Sequence, residues 1–268
     1  MDLQKKLDEA GKLLYGPDSS KRKENLENAL DIYTEVSKVD DRASNRDAQL
    51  GIQLSLGFLG RLDESDNILK ILIQDDLEDS LPYHNRGDIN RELGNLEEAV
   101  KDYTKGIEVD PEAFPVYNNR GLALLELGNF SEAILDFTRS IQLFPHEVFY
   151  NNRGSAYLLL EEYDKAIEDF NEAIDFNEDN VSITSLSFRG DCYRLKGDDF
   201  SAIIDYKSVL ELFGGKENKI LVDYIAAIRA ERGLAKLDVF CDEPIEPKAI
   251  LDEIATSERL DRFFKHYK

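Results

Sequence analysis

Two side-chain chemistries recur in this chain at fixed spacing. Asparagine stands at 85, 119 and 152, each time just before an arginine, and Asn118 and Asn151 double the amide in two of those places. A primary amide both donates and accepts, so a row of them could pair with the backbone of an extended peptide whatever its side chains. Each such bond contributes about 0.5–1.5 kcal/mol net, so neighbouring residues would have to supply specificity. The second chemistry is ionic. Arg86, Arg120, Arg153 and Arg189 are followed sixteen residues later by Asp102, Asp136, Asp169 and Asp205. Those charges can meet across a helical hairpin whose turn lies midway, within one hairpin or between neighbours. Exposed pairs of this kind are worth about 0–1 kcal/mol, which points to register and not to catalysis.

Groups that could do covalent or metal chemistry are sparse. His84, His146 and His266 are scattered, with none in a His-Glu-x-x-His arrangement. Cys192 and Cys241 are too few for a disulfide framework and lack metal-ligand spacing. Cys192 reads as a small packing residue. No catalytic residue, metal or cofactor is expected, so the chain is not read as an enzyme. The formal net charge is -22, which opposes nucleic acid and anionic lipid and favours neutral to basic partners. No apolar run approaches the roughly 18 residues of a membrane span. The start, Met1-Asp-Leu-Gln-Lys-Lys, does not read as a secretory signal. A cytoplasmic protein is the expectation.

The elements that position these groups are repeats. Gly87, Gly121, Gly154 and Gly190 each follow the arginine, and alanine comes twelve residues later at 99, 133, 166 and 202. Four residues after each alanine stands an aromatic: Tyr103, Phe137, Phe170 and Tyr206. Glycine spacings of 34, 33 and 36 imply stacked helical hairpins, each burying its face on its neighbours. Small residues sit where two helices cross, and the aromatic fills the space between hairpins. Gly94 and Gly128 read as left-handed helix ends, and Pro111 and Pro145 as the next breaks.

This pattern closely resembles the tetratricopeptide repeat family. The match is carried by Tyr83, Gly87, Ala99, Tyr103 and Pro111, then Tyr117, Gly121, Leu124, Ala133, Phe137 and Pro145. It continues with Tyr150, Gly154, Tyr157, Ala166 and Phe170, then Leu186, Gly190, Tyr193, Ala202 and Tyr206. The resemblance implies an all-α solenoid, a right-handed superhelix of helix-turn-helix hairpins with a C-terminal capping helix. Residues 1–79 form degenerate N-terminal hairpins, 80–213 the four clear units, and 214–268 a helical capping segment. In the N-terminal part a helix over 3–15 pairs with the one carrying Ala29 and Tyr33, across a loop about six residues longer than usual. Gln53 takes a glycine position, with Ser65 and Leu69 after it. Residues 216–237 read as one helix, followed by a hinge at 242–247 and an amphipathic helix with Ile250, Leu251, Ile254, Leu260, Phe263, Phe264 and Tyr267.

The resemblance also implies a concave groove lined by the first helix of each unit. Its residues would be His84, Asn85, Asp88 and Arg91, then Asn118, Asn119 and Leu122, then Asn151, Asn152 and Ser155, then Phe188, Asp191 and Arg194. The implied function is a non-enzymatic interaction scaffold that binds a peptide segment of a protein partner. The alternative is a self-assembling structural protein, a homo-oligomer whose groove takes the terminal segment of a neighbouring copy. Some members hold acidic chaperone tails with a clamp of lysine, asparagine and arginine. Here Leu50 and Leu54, and Pro115 and Asn119, stand at the outer clamp positions, so that role is not expected.

Overall fold

The computed structural model describes residues 3–15, 21–39, 42–176, 182–215 and 221–237. Among them are thirteen α-helices and no strand. The chain divides into two compact units, Met1–Val116 and Tyr117–Lys268. The first holds α1 (Leu3–Tyr15), α2 (Arg22–Val36), α3 (Arg42–Phe58), α4 (Leu62–Asp75), α5 (Ser80–Leu93) and α6 (Leu96–Val109). The division falls within α7 (Phe114–Glu126). The second unit holds α8 (Phe130–Leu143), α9 (Glu147–Leu159), α10 (Tyr163–Asp175), α11 (Ile183–Lys196), α12 (Asp199–Gly215) and α13 (Leu221–Lys236). Among the described residues these form six hairpins, α1/α2 to α11/α12, and a further helix, α13. The hinge at 242–247 and the terminal amphipathic segment lie outside the described residues.

In the first unit α1 packs on α2, α3 on α4 and α5 on α6, and each hairpin also packs on the next. Glycine at the crossings is required by the aromatic opposite. A Cβ on Gly87 would lie 2.5 Å from the Tyr103 ring, so any larger residue would drive the two helices apart. The degenerate N-terminal hairpin solves the same problem differently. Tyr33 sits between Gly11 of its own hairpin and Gly51 of the next, and a Cβ on Gly51 would meet its ring at 2.5 Å. Gln53, at the glycine position of α3, is buried and bonded to Ser65 on α4: its side-chain amide donates to Ser65 Oγ at 3.2 Å, and that hydroxyl donates to the Gln53 carbonyl at 2.8 Å.

The second unit repeats the arrangement with fewer departures. Phe137, Phe170 and Tyr206 are fully buried, opposite Gly121, Gly154 and Gly190. Tyr206 also packs on Gly233 of α13, and Ala226, Ala227, Ala230 and Leu234 complete that cluster. The single helix α13 therefore covers the face that α12 would otherwise leave wet. Most first helices end in the same way. Gly60, Gly94, Gly128 and Gly197 have φ between +74° and +83°, and the next residue's N–H closes back on the helix, as from Asn129 to the Leu124 carbonyl at 2.8 Å.

Candidate functional site

The arginine–aspartate pairs form within each hairpin. Arg120 holds Asp136 through two bonds of 2.7 Å, Arg153 holds Asp169 at 2.9 and 2.7 Å, and Arg189 holds Asp205 at 2.8 and 2.7 Å. Arg86 holds Asp102 in the same bidentate way in the first unit. Unlike the exposed pairs that spacing alone suggested, these aspartates are buried; Asp169 is 4% exposed. Hydrogen bonding to the carboxylate holds each guanidinium above its ordinary range. Burial pushes the Asp169 carboxyl up, against the pull of Arg153. Arg153 and Arg189 reach further: Arg153 donates to Thr138 at 3.0 Å and Arg189 to Asn171 at 2.6 Å, each on the second helix of the preceding hairpin. One guanidinium thus fixes both hairpin register and the stacking of neighbours.

The amides lie on the other flank of the same first helices. In the first unit Asn85 donates to Gln53 of α3 at 2.8 Å. In the second, Asn152 of α9 donates to Asn118 of α7 at 2.8 Å, and Asn118 donates to Asn119 at 3.2 Å. Ser185 of α11 donates to Asn151 of α9 at 2.7 Å. The amides therefore stitch successive first helices together while Asn119, Asn151 and Asn152 stay partly exposed. Leu122 is half-buried, and Ser155 turns its hydroxyl back onto its own helix, donating to the Asn151 carbonyl at 2.8 Å.

In the four clear units, where the buried aromatic is tyrosine an acid stands one residue after the glycine. The Tyr103 hydroxyl donates to Asp88 at 2.6 Å, and the Tyr206 hydroxyl to Asp191 at 2.5 Å. The phenylalanine hairpins have Leu122 and Ser155 there instead. Burial first, then the neighbouring aspartate, raises both tyrosine hydroxyls and keeps them protonated. His84 lies 3.6 Å from Asp88 on the same helix, with Arg91 a turn beyond.

Among the four clear units the last, α11/α12, differs most. Phe188 replaces the asparagine and stacks on Phe170, with ring centres 5.6 Å apart. The Arg229 guanidinium of α13 lies over the Phe188 ring, 4.2 Å from its centre, and also bonds to Asp191. Arg194 approaches Asp191 at 3.9 Å. Asp191 is thus shared by Tyr206, Arg194 and Arg229. Sequence reasoning did not single out Arg229, because α13 carries no copy of the repeat motif and 38 residues separate the partners. Ser185, Thr138 and Asn171 were missed likewise, and Gln53 reads in the sequence only as the occupant of a glycine position; their common signal is a polar residue facing a repeated amide or arginine one hairpin away. Burial pushes the Cys192 thiol up to about 12, which suits a packing residue and not a nucleophile. No described helix is long and apolar enough to cross a membrane.

Comparison with known proteins agrees with this geometry. A family model described as tetratricopeptide repeat matches residues 114–147 and 148–180, and one described as TPR repeat matches 87–128. No curated protein matches the chain. Among solved structures it is similar to pilF of Pseudomonas aeruginosa, with TM-score 0.64 and 16% identity over 87% of this chain and 97% of that one. A tetratricopeptide repeat protein from Parabacteroides merdae gives TM-score 0.63 and 18% identity over 88% and 87%. MamA from residue 41 to its end, from Desulfovibrio magneticus RS-1, gives 0.60 and 22% over 65% and 97%. At these identities the likeness is one of fold.

Proposed function

Because this chain is a tetratricopeptide repeat protein, we propose that it is a non-enzymatic scaffold whose first-helix face binds an extended peptide segment of a protein partner. The observation that carries this reading is the amide row of the second unit, where Asn152 bonds to Asn118 and Ser185 to Asn151. A primary amide has two N–H donors and a carbonyl, so a single stitching bond uses part of its capacity. The same bond fixes the side chain's orientation in advance, which lowers the entropy lost when a peptide backbone pairs with it. Leu122 beside the row offers an aliphatic contact, and in the first unit Asn85 sits among His84, Asp88 and Arg91 on α5. The net charge of -22 supports a neutral to basic partner and opposes nucleic acid.

The test is affinity capture from native lysate, comparing wild type with the triple variant Asn119→Ala, Asn151→Ala, Asn152→Ala in the second unit. Thermal unfolding first establishes that the variant still melts cooperatively, since these amides also join hairpins. Loss of three bonds predicts binding on the order of a hundredfold weaker. A partner retained equally by both proteins would remove the amide row from the reading.

A further inference from the structure

The loops that pass from one hairpin to the next change character along the chain. In the first unit α4 ends at Asp76 and α6 at Asp110. Each carboxylate accepts the backbone N–H two residues on, from Glu78 and from Glu112, both at 3.0 Å, which shapes the turn. In the second unit α8 and α10 end instead at Phe144 and Phe176. Phe144 keeps the extended backbone of the two aspartates. The turn's bond passes to His146, whose Nδ1 accepts from the Val148 N–H at 3.3 Å. The imidazole also joins the two loops. Its centre lies 6.3 Å from that of Phe144, with the planes inclined by 20°, and 5.7 Å from those of Phe149 and Phe176. Phe149 is buried and anchors the group, whereas Phe144 and Phe176 are each 48% exposed and Val148 is 46% exposed. The turn after α8 does not need a ring, since aspartate closes the same turn after α6.

We propose that Phe144, His146 and Phe176 form a docking site for an arginine side chain carried by a segment of a partner protein, separate from the first-helix face. Aromatic ring faces attract a cation, and the charges around these rings favour one. Residues 141–149 and 172–176 include Glu147, Glu172 and Asp175 but no lysine or arginine. Glu147 lies in the first turn of α9 and answers the positive start of that helix. Glu172 and Asp175 are exposed. The C-terminal ends of α8 and α10, where negative potential gathers, have no basic residue in their last turns. Arg189 of α11 feels the charge of Asp175 but is bonded to Asp205 and Asn171. Arginine fits better than lysine, because its guanidinium plane lies flat on a ring and still pairs edge-on with a carboxylate. The chain builds this arrangement internally, where Arg229 lies over the Phe188 ring and bonds to Asp191. A second copy is opposed by the net charge of -22 on each chain.

The experiment follows fluorescence anisotropy of two labelled Gly/Ser peptides, one carrying three arginines and the other three lysines, titrated with the full chain. Wild type is compared with Phe144→Asn/Phe176→Asn. Asparagine closes such a turn as aspartate does and adds no charge, and both positions are exposed, so the variant is expected to keep its melting transition. If it does not, Phe176→Asn alone leaves the turn after α8 intact and reads the same preference. Wild type should bind the arginine peptide on the order of fivefold more tightly than the lysine peptide. The double variant should bind the two alike, and the triple amide variant should keep the full preference. Equal binding by wild type overturns the proposal. A preference that survives in the double variant assigns it to the acidic surface at large, and one lost with the amides assigns it to the first-helix face; either overturns it. Sedimentation of the chain alone supplies the last check: a dimer formed by wild type and lost in the double variant would give the rings to a second copy and overturn it equally.

Discussion

Adjacent hairpins α9/α10 and α11/α12 share one skeleton and differ in almost everything laid upon it. Both keep the bidentate arginine and aspartate, and both keep glycine against a buried ring. Both also send the arginine's remaining nitrogen to the previous hairpin. Yet Asn152 becomes Phe188, Ser155 becomes Asp191, Phe170 becomes Tyr206, and Asp164 and Glu168 become Phe200 and Ile204. The invariant positions make the hairpins stack. The variable ones decide what each face meets: an amide row in one hairpin, an aromatic and ionic seat for α13 in the other.

If the skeleton is common, breaking it should cost the same in both places. Arg153→Met leaves Asp169 without its counter-charge, and Arg189→Met does the same to Asp205. Each should lose about 3–5 kcal/mol in urea unfolding, because a buried carboxylate is stranded. The loss should shrink on acidification. The stranded Asp169 has a folded-state pKa raised by burial above its unfolded value, so its penalty is absent below the unfolded value, grows between the two and levels off above the folded one. A cost within 1 kcal/mol for one variant and not the other would show that the two hairpins do not rest on the same pair.

The differing layer makes a smaller prediction. Tyr206→Phe removes the hydroxyl that donates to Asp191, and should cost about 1–2 kcal/mol, since that carboxylate is buried and loses one of its donors. A thermal or urea melt checks it. A loss near zero would mean that Arg229 and Arg194 satisfy Asp191 without the tyrosine.

This division between skeleton and surface also explains what could be read in advance. Crossing glycines, buried rings and the arginine–aspartate spacing repeat with a period, so the sequence carries several copies of each signal. The helix over 3–15 is legible as the partner of the one carrying Ala29 and Tyr33, and the helix legible over 216–237 contains α13, Leu221–Lys236. Burial of the aspartates was not legible, because exposure depends on how close the preceding hairpin lies. Nor was the pairing of Tyr33 with Gly51, since the glycine stands two residues before its usual place. Arg229 on Phe188 and Asp191 joins a repeat to a helix outside the repeat, and no periodicity reports such a contact. The exchange of Asn152 for Phe188 was visible, but its consequence required α13 to be in place.

The smallest effect concerns how the two first helices end. α11 stops at Gly197 with φ +81°, whereas the same place after α9 is held by Glu161 at φ +59°. The closing bonds are alike, from Asp198 to the Tyr193 carbonyl and from Glu162 to the Tyr157 carbonyl, both 2.9 Å. Hydrogen bonding therefore does not separate the two turns; backbone conformation does. A side chain in the left-handed region costs about 1–2 kcal/mol, and glycine gives back about 0.5–1 kcal/mol of that through its freer unfolded state. Glu161→Gly should accordingly stabilise by about 0.5–1 kcal/mol, seen as a higher urea midpoint at unchanged slope. Gly197→Ala should cost about 1 kcal/mol, although a Cβ there meets nothing within 4 Å. If Glu161→Gly destabilised instead, the glutamate side chain would be making a contact that outweighs its strain, and the two turns would differ in more than conformation.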